Sequence, residues 1–523
     1  MRREAALCKL QAGQSRLPTT KCASLSISGL HAGFDCRRSS HSDTQDAVVP
    51  KHHEVPIPRN PSPLNPLALN EREGRAYRFF QIIGAPALSS GFECEFWGRL
   101  VLQLANADDA IFHATVALGI LLEDMHNWPI SWPVPRQAPP TERTADALRH
   151  YQTALQQLFV PVVGKESVNA ISLASAVVFA CIETLCGSAR NATKLISSGI
   201  GILTQLEASI LSLANLESFA PFVSVFVRLD SYMREVCNPR IPDSAGKSLT
   251  ATQLLQTEHH VRPKPPVFRH IRPCPPVFGS LREANRQLEI LENLCLFVVE
   301  QQEKPREVQS MPTRTSCQSM YQDWLEAFNA SSISTNDENS HALLHIRRLD
   351  LYLTLHGPED TCPQSGWDYF LPEFIEMLTN GSSASRWQHM SFVLGGGFIM
   401  PLCRLALRCR HPSTRRAAIH ILRGARRRDG QLEGMLAARV LERIVDVEED
   451  GLGEITEARD VPEAARVAGV LAKFLSGKGR AKLTYSRAAG PSFALPFPLK
   501  NLTSTPRALV EEELSGGSHF KGD

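Results

Sequence analysis

The sequence predicts an all-α protein, a large helical body of antiparallel helix pairs with a disordered N-terminal arm. Three observations carry that expectation. From about Asn70 onward, apolar residues recur every three or four positions, the spacing that lines one face of a helix. Alternating runs rich in β-branched residues are few, and no Asn-Gly dipeptide joins two of them as a hairpin would. The periodic stretches are separated by proline clusters, such as that between Trp128 and Pro140, which interrupt any regular element.

Taken in order, residues 1–70 are rich in Ser, Pro and His and end in the run Val55 to Pro63. Such a composition cannot bury enough apolar surface to offset chain entropy, so this segment is read as a disordered arm. The body is placed at 71–475. Trp97, Leu100 and Leu104 form one stripe, and Ile111, Ala114, Leu118 and Leu121 form a second. Asn106 to Asp109 lie between them, where Asn and Asp suit a helix cap. Further stripes fall at Leu148, Tyr151, Leu155 and Leu158, at Ala174, Val177, Cys181 and Leu185, and at Leu195, Gly199, Ile202 and Leu206. The heptapeptide Arg262 to Phe268 returns almost unchanged as Arg272 to Phe278, and its prolines favour an extended crossing. Helical spacing resumes at Leu281 and Leu288, from Trp324, from Leu343, and from Trp387 through Leu405. The segment 476–523 turns to Gly, Ser, Pro and Lys and is read as a loose tail.

Charge and cysteine usage narrow the function. The chain's 56 Lys and Arg against 54 Asp and Glu leave a net charge of +2, so no global field steers it onto nucleic acid or anionic lipid. The apolar run from Ala174 to Ile182 is shorter than the roughly 20 residues of a membrane span, and no membrane partner is expected. No signal-peptide pattern follows Arg2 and Arg3, so the 13 cysteines are read as reduced thiols.

No residue is assigned a catalytic, cofactor-binding or metal-binding role. Asp108-Asp109 and Asn336 to Ser340 bear a partial likeness to the magnesium-binding acids of helical terpene cyclases, yet Phe112, His113 and Leu344 stand where further ligands belong. Asp108 and Asp109 are therefore expected to cap a helix. Gly199-Ile200-Gly201 is read as helix packing. Gly395-Gly396-Gly397 permits a close backbone approach but lacks an expected strand before it, so a loosened helix turn is preferred to a phosphate cradle. His113, His126, His345 and His420 are read as solitary, and Cys181, Cys186, Cys403 and Cys409 as small apolar residues. No cofactor is expected, and the chain is not read as an enzyme.

Several blocks carry a resemblance. Glu71 to Phe80, Pro86 to Phe92 and Phe96 to Gln103 are followed by His113-Ala114-Thr115-Val116-Ala117-Leu118-Gly119. Tyr151 to Leu158, Gly187 to Leu206 and Phe226-Val227-Arg228-Leu229-Asp230 come next, then Pro401 to Pro412 and Ala437 to Ile444. In this order and spacing, over about residues 71 to 475, they resemble the C-terminal regulatory domain of fungal Zn2Cys6 transcription factors.

That resemblance implies an all-α regulatory domain, a nuclear location, and control of a fungal gene cluster, including clusters for secondary metabolism. It implies protein partners, such as a DNA-binding regulator or co-regulator, and a small effector. DNA binding does not carry over. The family's zinc module needs two halves close to Cys-x2-Cys-x6-Cys to give two zinc ions their thiolates, and residues 1–70 offer only Cys8, Cys22 and Cys36. DNA contact then requires a zinc cluster supplied by a longer gene model or by a partner. Arg415, Arg416, Arg423 and Arg426 to Arg428 suggest either a nuclear import signal or a solvated helix end. The alternative reading is an accessory protein or enzyme of a biosynthetic pathway whose site no motif reveals.

Overall fold

The computed structural model describes residues 70–127, 142–158, 165–209, 219–237, 274–301, 312–333, 337–358, 363–385, 391–475, 480–487 and 510–515. The arm at 1–69 and the first copy of the proline repeat lie outside them. Helices dominate, and the protein belongs to the all-α class. The chain divides into two compact units, Met1–Asp124 with Thr141–Phe226, and Met125–Pro140 with Val227–Asp523.

In the first unit, α1 (Glu71–Phe79) begins with a capping box in which Asn70 and Glu73 exchange side-chain and backbone hydrogen bonds. A π-helical turn (Phe80–Gly84) carries it into α2 (Ala85–Ser89). A second π-helical turn (Phe96–Leu100) leads into α3 (Val101–Ala105), followed by α4 (Asp109–His126). Phe80 and Phe96 set their rings edge-on to Trp97, and Phe96 reaches Phe222 with centroids 5.7 Å apart. The expected α3–α4 corner is present, and Asp108 caps it: its Oδ1 accepts from the backbone N–H of Ala110 at 3.0 Å and of Ile111 at 3.2 Å.

Helices α5 (Glu142–Gln157), α6 (Lys165–Leu185) and α7 (Ala189–Ser209) complete this unit. The residues α5 buries are Ala147, Tyr151 and Ala154, with Leu158 just beyond its end, whereas Leu148 is 43% exposed. The stripe read from the larger apolar residues is thus rotated, because alanines let neighbouring helices approach and leave leucine at the rim. Val168–Leu185 is long and apolar enough to cross a membrane by length and composition, more than the Ala174–Ile182 run suggests, and 83% of it is buried inside the protein. Gly199 packs where expected: a Cβ there would overlap the Phe226 ring.

Helix α8 (Ala220–Cys237) supplies Val227 onward to the second unit. There α9 (Leu281–Gln301), α10 (Arg314–Ala330), α11 (Glu338–His356) and α12 (Leu371–Ala384, entered through a 3-10 turn at Gln364–Phe370) follow in order. Trp324 is buried in α10, and its indole N–H donates to the carbonyl of Ala284 at 2.9 Å. Then come β1 (Ser391–Val393), α13 (Ile399–Arg408), α14 (Pro412–Gly424), β2 (Arg427–Asp429), β3 (Leu432–Glu433) and α15 (Gly434–Glu449). β1 pairs parallel with β2, and β2 antiparallel with β3.

A second small sheet orders β4 (Val467–Leu475), β5 (Arg480–Arg487) and β6 (Val510–Ser515), all antiparallel. Two stretches of the segment read as a loose tail are therefore strands. The overlooked signal is the alternation Ala481, Leu483, Tyr485 against Lys482, Thr484, Ser486.

Candidate functional site

The second unit buries an unusual amount of charge where α8, α9, α11 and α13 supply facing side chains. Arg404 is held by two carboxylates: its Nε donates to Asp350 Oδ1 at 2.9 Å, its Nη2 to Asp350 Oδ2, and its Nη1 to Glu235 at 2.9 Å. Arg347 donates to Asn285 at 2.7 Å, to Glu289 at 3.3 Å and to Glu292. Asp230 accepts from Arg234 at 3.0 Å and from the amide of Asn293 at 3.0 Å. Helix periodicity explains the convergence, since Asp230 with Arg234, and Glu289 with Glu292 and Asn293, share faces three or four residues apart.

The Glu292 carboxyl is raised to about 7, chiefly by burial, with Arg347 opposing the rise and repulsion from Glu289 and Glu235 adding to it. The guanidiniums of Arg347 and Arg404 are raised above their ordinary value because the carboxylate attraction outweighs the burial penalty. Arginine remains charged, and these carboxylates are spent on ion pairs. Chemically the arrangement locks helix to helix by charge.

The glycine run holds an internal anion. β1 ends just before Gly395, and Gly395 and Gly396 adopt φ of 82° and 71°. In the described part of the Trp387–Leu405 stretch, from Ser391 on, a short strand and a left-handed turn, not helix, precede a helix that starts only at Ile399. Asp429, from the parallel neighbour β2, places Oδ2 3.0 Å from the Ile399 N–H, at the positive end of α13. A Cβ at Gly397 would overlap that carboxylate. The strand, glycine loop and helix that generally cradle phosphate are here occupied by the chain's own Asp429.

The basic residues near this point are divided. Arg427 and Arg428 are buried in β2, with Arg427 Nε donating to Asp429 at 3.0 Å. Arg415 is also buried and shares Glu448 with Arg466, while Arg416 and Arg423 are half exposed beside Glu449 and Glu442. The run is not one continuous basic strip, because half of it is interior, while Arg423 stands exposed in the last turn of α14 as a solvated helix end would.

Two histidines read as solitary have partners. His113 Nδ1 lies 3.1 Å from His150 Nδ1, and His150 Nε2 lies 3.7 Å from Glu73. Burial lowers the His113 pKa to about 4, helped by His150. His345 Nε2 lies 3.3 Å from His341 Nε2. The first pair joins residues 37 apart and leaves no local signal in the sequence. The second is a His-x3-His pattern on one helix face, legible but overlooked. Among the remaining residues, His420 is exposed, Asp109 is half-buried in the first turn of α4, and Asp337 caps α11 by accepting from the Ser340 N–H at 3.1 Å. Cys181, Cys403 and Cys409 are buried as expected, whereas Cys186 is exposed.

Neither family models, nor curated proteins, nor solved structures show a match to this chain.

Proposed function

We propose that this chain is a transcription regulator that resembles the fungal Zn2Cys6 family in its regulatory domain, with the zinc cluster missing or degenerate in residues 1–70, and that it controls a gene cluster, acting in the nucleus through its helical body. The reading rests on the resemblance of the ordered blocks between residues 71 and 475. The observation that carries it is where two of those blocks fall. Phe226 to Asp230 and Pro401 to Pro412 are largely buried, and they provide Asp230 and Arg404 of the charged core. The likeness therefore lies in residues that hold helices together, where order and spacing are constrained by packing.

Such a body acts by binding. Its partners are a DNA-binding regulator or co-regulator, with DNA reached through that partner or through a zinc module encoded beyond this chain, and a small effector. The testing experiment deletes the gene and profiles transcripts. A defined gene set changes if the reading holds. Normal transcripts together with a lost metabolite would instead favour a biosynthetic role.

A further inference from the structure

We infer that His341 and His345, on one face of α11, form a binding site for a borderline divalent transition metal such as Zn2+ or Cu2+. Both ligate through Nε2, and the Glu376 carboxylate of α12 stands behind His345, 3.9 Å from its Nδ1. The inference is independent of the regulatory reading.

The first support is the bite. A tetrahedral zinc with Zn–N bonds of about 2.0 Å requires its two ligand nitrogens to stand about 3.3 Å apart. The two Nε2 atoms stand 3.3 Å apart, so the rings need not be drawn together. Residues four apart on a helix reach this geometry from a rigid backbone, and α11 runs unbroken from Glu338 to His356. Imidazole suits Zn2+, Ni2+ and Cu2+ above the hard cations. Water completes the remaining coordination positions.

The second support is what lies behind the ring. A metal-bound histidine usually donates its other N–H to a carboxylate, which fixes its tautomer. Glu376 Oε1 lies 3.9 Å from His345 Nδ1, and it also pairs with Arg348. Without metal, Arg348 Nε donates to His345 Nδ1 at 2.9 Å, which leaves the His345 proton on Nε2, directed at His341. On metal binding that proton moves to Nδ1, where Glu376 accepts it, and Arg348 withdraws while keeping its pair with Glu376. No net proton is released. Phe328 flanks both imidazoles, its ring centroid 6.4 Å from His341 and 5.6 Å from His345, and walls one side of the site.

The test titrates the full chain, stripped with chelator, with Zn2+ by calorimetry, and records the Cu2+ electron paramagnetic resonance spectrum at one equivalent. The expected result is one ion per chain and a copper signal split by two imidazole nitrogens. His341→Asn and His345→Asn each weaken Zn2+ binding at least tenfold, and Glu376→Gln weakens it about tenfold with the metal-free melting temperature unchanged. Zn2+ affinity retained in both histidine variants, a copper spectrum with no imidazole coupling, or no binding at all would each overturn the assignment. Where a variant fails to fold, a wild-type copper spectrum without imidazole coupling still overturns the assignment, and coupling that survives in His113→Asn separates this pair from His113 and His150, whereas coupling lost in His113→Asn overturns it.

Discussion

Arg404 and Asp350 meet fork to fork inside the second unit, Nε on Oδ1 at 2.9 Å and Nη2 on Oδ2, with both residues buried. A paired buried charge is close to neutral for stability against an apolar alternative, but a buried charge stripped of its partner is expensive. Arg404→Met strands both Asp350 and Glu235, and about 3–5 kcal/mol of stability is lost. Replacing Arg404, Asp350 and Glu235 together with apolar residues of similar volume recovers much of that loss. Urea denaturation of the single and triple variants checks the difference; equal stability of wild type and Arg404→Met would contradict it.

Gly397 cannot carry a side chain while Asp429 holds the start of α13. Gly397→Ala displaces the carboxylate from the Ile399 N–H and leaves buried polar atoms unmatched, at a cost of about 2 kcal/mol or more. Asp429→Asn keeps an acceptor and costs less. Thermal melting of the two variants gives the order, and an alanine tolerated at Gly397 without loss would show that the carboxylate lies elsewhere.

His113 is held neutral, its folded pKa about 4 against an ordinary 6.5. Because the unfolded chain binds the proton more readily, the stability from this group is complete above about pH 6.5. It is lost as pH falls toward 4. Glu292 opposes it, since a carboxyl raised by burial favours the folded state at low pH. His113→Gln should remove on the order of 1–3 kcal/mol of the stability difference between pH 7.5 and pH 4.5. Parallel denaturation curves at the two pH values for wild type and variant provide the check, and unchanged pH dependence would contradict it.

The helices were legible from the sequence because their apolar residues repeat at the period that burial requires, as Leu288, Leu291 and Leu294 do in α9. The burying face was less so. On α5, Ala147 and Ala154 carry little apolar weight yet sit innermost. The sheet of β1, β2 and β3 escaped notice because its strands are only two or three residues long. Its one local cue is Asp429-Gly430, a dipeptide that suits a tight hairpin. The charged core was invisible for a different reason. Arg404 and Asp350 stand 54 positions apart, and nothing local distinguishes an arginine that will be buried from one that will face water.

The regulatory proposal is tested most directly by tethering. The full chain, fused to an unrelated DNA-binding domain, is placed upstream of a reporter in a fungal nucleus, beside a Leu405→Asp variant. Leu405 is 1% exposed, and a buried unpaired carboxylate there unfolds the body. The predicted result is a reporter transcript changed by the wild-type fusion and unchanged by the Leu405→Asp fusion. A wild-type fusion that accumulates folded in the nucleus and leaves transcription untouched would contradict the proposal.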